Sequence, residues 1–151
     1  MIKGFLFAAL LAGESLGVNS ANATISASEP ERSWFTIVGD PTQPNSETVQ
    51  VDPVALSSEG NTRTMGVRVN RSQMRRNWDQ VHYRSYESRV LINCPARSAH
   101  YLEATFYSEP LWTGNPGQVA HYQKSPKPML FSGMNPNPVE RIIRAACRPV
   151  A

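Results

Sequence analysis

The chain contains two cysteines, and where they fall limits the fold more than any other feature. Cys94 ends the strand-like run VLINC, just before the turn residues Pro95-Ala96-Arg97-Ser98, and Cys147 lies in the last segment of the chain. Two cysteines and no third allow one intramolecular pairing. Whether they pair depends on compartment, because thiol pairs persist as disulfides where the surroundings are oxidising. The N-terminus bears on that question. In MIKGFLFAALLAGESLGVNSANA, Lys3 is a short positive region, Gly4 to Gly13 is an apolar run, and Ala21-Asn22-Ala23 offers the small residues a signal peptidase reads. This is the pattern of a secretory signal peptide over residues 1–23, cleaved after Ala23. The alternative is a buried N-terminal helix. The run is too short to span a bilayer, which takes about 20 residues. The expectation is an exported chain, periplasmic, surface-bound or secreted, that begins at Thr24. In that setting a Cys94–Cys147 bridge closes a loop of about fifty residues and contributes roughly 4 kcal/mol on chain-entropy grounds. The rival reading is a reactive thiol pair. Redox pairs usually lie two residues apart near a helix N-terminus, which these do not, so compartment and parity favour a structural bridge.

The mature chain of about 128 residues is sized for one domain. Residues 24–33 read as a flexible polar lead-in, and 34–150 as a single domain. Twelve prolines and nine glycines favour many turns and short strands over long helices. Trp34 to Val38 is rich in β-branched and aromatic residues and predicts a strand. Thr48 to Val51 predicts a second, interrupted at Asp52-Pro53, because proline cannot donate to a ladder. Ser57 to Thr62 reads as a turn. Met65, Val67 and Val69 alternate with polar residues, a period of two. Tyr86 to Cys94 and His100 to Tyr107 predict an antiparallel hairpin. In its second strand His100, Leu102, Ala104 and Phe106 share one face and Tyr101 the other. Glu109 to Met134 reads as a long irregular excursion, with Trp112 and Tyr122 as packing residues.

The last segment predicts a helix. Asn137-Pro138-Val139-Glu140 fits an N-cap, a proline at the first helical position and a glutamate at the third. Val139, Ile142, Ile143, Ala146 and Cys147 then form one apolar stripe, and Pro149 stops the helix. Cys147 lies on that stripe and Cys94 on the face of Val90 and Ile92, so a bridge staples the helix to the sheet. The expected architecture is α+β: a small antiparallel sheet covered by a disulfide-linked C-terminal helix.

The strand around Trp34, the segment ending VLINCPARS, the aromatic strand YLEATFY and the final IIRAAC together resemble the surface-adhesin protein E family of exported bacterial proteins. The likeness covers Trp34 to Cys147. It implies a small antiparallel sheet with that helix, and a role at the bacterial surface binding host extracellular or serum proteins. The founding type of the family is a lipoprotein anchored through a cysteine at its cleavage site. This sequence has no cysteine before Cys94, so such an anchor is not expected. Surface display and a soluble periplasmic accessory role both stay open.

The sequence points away from catalysis. His82, His100 and His121 are far apart, and there is no HExxH, CxxC, Gly-x-Ser-x-Gly or phosphate-cradling glycine loop. Glu87 and Glu103 could pair across the hairpin, but solvated charges fit them equally. No enzyme, cofactor or metal is expected. The net charge of +3 permits attraction to polyanions without demanding nucleic acid. The best binding candidate is Arg71, Arg75 and Arg76 beside Trp78. On a helical turn over 72–78, Arg71 and Arg75 share a face near Trp78. Arginine suits planar oxyanions, so sulfated glycans, lipopolysaccharide phosphates or acidic proteins could dock there. The plainer reading is a solvated loop. A homodimer is equally compatible with the sequence.

Overall fold

The computed structural model describes residues 32–148. The expected signal peptide, most of the lead-in and residues 149–151 lie outside the described residues. The run after Trp34 forms β1, Phe35–Val38. It is followed by β2, Thr48–Glu59, β3, Thr62–Arg76, β4, His82–Asn93, and β5, Ser98–Tyr107. A 3-10 turn, Pro110–Trp112, leads to β6, Val119–His121, β7, Lys127–Pro128, and the helix α1, Val139–Ala146. Among the described residues the strands make one antiparallel sheet in the order β1-β2-β3-β4-β5-β6, and β7 also pairs with β5. β6 meets β5 at Glu103–Thr105 and β7 meets it at His100–Tyr101, so the two short strands follow one another along the same edge.

The main strands run on where polar or proline residues suggested they stop. β2 passes through Asp52-Pro53 by shifting register between Asp52 and Ser57. The turn expected over Ser57–Thr62 contracts to Gly60-Asn61, where Gly60 takes φ +55°. A left-handed φ costs glycine little. β3 continues through the polar residues Asn70 to Arg76, so the helical turn expected over 72–78 is instead strand and hairpin. The expected long excursion contains the 3-10 turn, β6 and β7.

One face of the sheet carries the core. Val49 and Val51, Met65, Val67 and Val69, Tyr86, Val90 and Ile92, and Ala99, Tyr101, Ala104 and Phe106 are all buried there. The β5 assignment needs correcting. Arg89 pairs with Glu103 and Val90 with Tyr101, which leaves Leu102 as an extra residue. A one-residue bulge reverses the alternation beyond it. Tyr101 therefore joins Ala104 and Phe106 in the core, while His100 lies half-buried on the other side.

Met129, Phe131 and Met134 add to the core, and α1 inserts Ile142, Ile143 and Ala146. The cap falls one residue later than expected: Pro138 is the N-cap, its carbonyl accepting the Ile142 N–H at 3.0 Å, while Asn137 Oδ1 accepts the Val139 N–H at 3.0 Å from just outside the helix. Glu140, Arg141 and Arg144 stay exposed. Cys94 and Cys147 are bonded, with Cα atoms 5.6 Å apart, a spacing ordinary for a disulfide. With eight residues in its helix, the molecule is mostly antiparallel sheet rather than the α+β balance expected, because the strands are longer than their apolar runs.

Candidate functional site

The site begins with an irregularity in β3. Asn70 pairs with Ser85 and Arg75 with Tyr83, so Arg71 to Met74 bulge out opposite the single residue Arg84. Arg84 fastens the bulge, its Nε donating to the Arg71 carbonyl at 3.1 Å and its Nη2 to the Pro44 carbonyl at 3.0 Å. Arg71 follows Met65, Val67 and Val69 in the alternation and faces the core side. Its side chain is only 8% exposed, with Nη1 3.2 Å from Glu47 Oε2. Nη2 donates to the Ser132 carbonyl at 3.1 Å. The Nε is buried and has no hydrogen-bond partner among the described residues. Arg71 is thus no solvated loop arginine, whereas Arg75 and Arg76 are exposed. Arg76 donates from Nε to His82 Nε2 at 2.8 Å. Neither Arg75 nor Arg76 has an acidic partner within 4 Å among the described residues.

Trp78 is placed by the hairpin between β3 and β4. Asn77 Oδ1 accepts the N–H groups of Asp79 and Val81 at 3.0 and 2.9 Å. Such side-chain-to-backbone bonds are how asparagine shapes a turn. Gln118, from the segment before β6, ties the loop down by accepting from Asn77 Nδ2 and donating to Asp79 Oδ2. The indole then sits edge-on to Tyr101 and Tyr122, at 5.8 and 5.7 Å between centroids. It stays 48% exposed, so it packs without being enclosed.

Together these elements enclose a cleft of about 460 Å³ that includes all four residues singled out from the sequence. Arg71, Arg75, Arg76 and Trp78 contribute to its lining alongside Tyr83, Tyr86, Tyr101, Phe106, Leu130 and Phe131. The rings interlock at 5.1 to 5.7 Å, and Tyr86 and Tyr101 share a hydrogen bond between their hydroxyls. Burial raises the Tyr86 and Tyr101 pKa values, so both phenols are neutral at physiological pH. Burial also raises Tyr83, but Arg71 and then Arg75 pull it back while Glu47 pushes it up. Arg71 and Arg75 therefore place positive charge beside Tyr83, with Glu47 opposing it. The aromatic lining went unrecognised in the sequence, although Tyr86 continues the alternation of Val90 and Ile92.

The opposite face of the sheet is polar. Arg68 is stacked between Trp34 and Trp112, at 4.4 and 3.9 Å from the ring centroids. Its Nε donates to Gln50 Oε1 at 2.7 Å, and burial lowers its pKa. Glu87 and Glu103 do not pair with each other there. Glu103 binds Arg89 at 3.0 Å, and Glu87 lies between Arg32 and Arg68 at 3.4 and 3.7 Å. The histidines sit on separate strands, with His121 3.9 Å from Glu103. Among the described residues no group of three His, Cys, Asp or Glu could hold a metal ion, and no helix is long and apolar enough to cross a membrane.

The described residues thus form a disulfide-stapled antiparallel sheet with an arginine–aromatic cleft on its core side. The chain belongs to the surface-adhesin protein E family, whose model matches residues 34–148. Membership suggests a bacterial surface adhesin in a non-enzymatic role. No curated protein matches the chain.

Proposed function

We propose that this chain is an exported adhesin that presents its arginine–aromatic cleft to a host extracellular or serum protein and acts by binding alone. The observation that carries this reading is the gathering of three arginines and a half-exposed tryptophan at one aromatic cleft. Tryptophan, tyrosine and arginine dominate the energetic centres of protein interfaces. The same arginines would suit an anionic glycan or lipopolysaccharide phosphates as secondary partners. Family membership supports the surface role, and the N-terminal pattern supports export. A second reading is a soluble periplasmic accessory protein that turns the same cleft to an envelope partner.

The test has two parts. Antibody labelling of intact cells should reach the protein, and the mature form should begin at Thr24. Labelling only after the outer membrane is permeabilised would move the chain to the periplasmic reading, and a mature form retaining Met1 would remove export. Immobilised serum and matrix proteins should capture the wild-type chain. Trp78→Ala and the pair Arg75→Gln/Arg76→Gln should each lose capture about tenfold or more, the scale of removing an interface hot spot. Capture equal to wild type in both would place the contact face elsewhere.

A further inference from the structure

We propose that the cleft receives a single aromatic side chain carrying an oxyanion, such as a sulfated or phosphorylated tyrosine of a partner protein. The proposal rests on the cleft being the contact face and names what enters it. The cavity, about 460 Å³, falls in the range of small-ligand sites and suits one side chain better than a flat protein surface. Its walls offer ring edges and faces, with Trp78 half-exposed and already edge-on to Tyr101. An incoming ring continues that edge-to-face pattern, which aromatic pairs prefer over stacked sandwiches.

The arginines supply the other half of the match. Arg71 holds two of its three nitrogens in place through Glu47 and Ser132, leaving a buried Nε donor with no acceptor among the described residues. The Nε itself is sealed from the cleft, but those two contacts fix the guanidinium at the cleft wall, where its charge adds to that of Arg75 and Arg76 for an oxyanion bound there. Arg75 and Arg76 bring positive charge that no carboxylate within 4 Å offsets among the described residues. Guanidinium groups bind planar or tetrahedral oxyanions through paired N–H donors. An inorganic anion would meet the arginines and leave the aromatic walls in water. An unmodified tyrosine would fill the walls and leave the arginines unanswered. Only a ring that carries the anion answers both.

The mature chain is titrated with one short peptide in three forms, bearing tyrosine, sulfotyrosine or phosphotyrosine, and with inorganic sulfate and phosphate. Calorimetry and tryptophan fluorescence follow binding. The modified peptides should bind at least tenfold more tightly than the tyrosine form or the free anions, and the tighter of the two esters identifies the source. Arg75→Gln/Arg76→Gln and Trp78→Ala should each lose tenfold or more. Arg71→Gln removes the charge at the cleft wall and should weaken the modified peptides alone, with thermal melts confirming that it folds. Equal binding of the tyrosine peptide would reduce the site to an apolar slot. Equal binding of sulfate would reduce it to an anion site. No binding at millimolar peptide would end the proposal. If host-protein capture still depends on Trp78 while no modified peptide binds, this inference fails and the adhesin reading stands. If capture is also indifferent to Trp78, both fail.

Discussion

Asn70 is a buried polar side chain with each of its contacts accounted for. It is fully buried, and its Nδ2 donates to the Pro44 and Ser46 carbonyls at 3.0 and 2.7 Å while its Oδ1 accepts the Leu111 N–H at 2.7 Å. Leu111 and Trp112 have φ of 55° and 58°, a left-handed conformation that side-chain-bearing residues avoid. Asn70 and Ser85, whose Oγ accepts the Trp112 N–H at 3.0 Å, hold them there. The result sets Trp112 over Arg68. Asn70→Ala removes partners from three backbone groups at once and should cost about 2–4 kcal/mol, read by urea denaturation. A loss under about 1 kcal/mol would mean that water replaces the amide. The arginines should split in the same assay. Arg71→Gln leaves Glu47 without its ion pair and should cost about 2 kcal/mol, discounted because Glu47 is partly exposed. Arg75→Gln/Arg76→Gln should stay within about 0.5 kcal/mol of wild type. The alternation through Met65, Val67 and Val69 was legible, and Arg71 is simply its next member. A positive charge reads as solvated, its partner Glu47 is far from it in the sequence, and the bulge that begins at Arg71 depends on the strand opposite.

At the scale of elements, the two ends of the bridge were readable because each obeys a local rule: Cys94 closes an alternating strand and Cys147 a helical stripe. Cys147→Ser should lower stability by about 2–5 kcal/mol, with Cys94→Ser matching it. The double variant should be no worse than either, since one bond is lost in every case. Two reactive thiols per chain in unreduced, denatured protein would contradict the bond. The bulges were not readable. Register slips at Asp52/Ser57, Asn70/Arg75 and Arg89/Val90 depend on what lies across the strand, and a single strand does not carry that information. The slip in β5 decides that Tyr101, and not His100, reaches the cleft. Trp78 was legible as a residue beside arginines. Its position over Tyr101 depends on Gln118, 39 residues from Asp79, to which it bonds.

For the molecule as a whole, the buried phenols tie stability to pH at the alkaline end. Tyr86 and Tyr101 are hydrogen-bonded to each other inside the cleft floor, and burial raises both pKa values above the ordinary 10. Tyr122, also buried, is pushed up to about 12, with Asp79 adding to the effect of burial. The unfolded chain releases these protons near its ordinary phenol pKa, while the folded chain keeps them. Between those values the unfolded state binds fewer protons, so unfolding free energy falls as pH rises. The stabilisation is complete below pH 10 and is lost from there upward toward the folded values. Urea midpoints should therefore hold steady approaching pH 10 and drop progressively above it, through the region of pH 12. Replacing one phenol of the pair would strand the other, so the informative variant is Tyr86→Phe/Tyr101→Phe, which removes both partners together. It should flatten the alkaline decline while leaving neutral-pH stability near wild type. An unchanged slope in the double variant would mean that other groups govern the alkaline limit. In the window where the phenols stay neutral, no phenolate charge develops on the cleft floor beside Arg71.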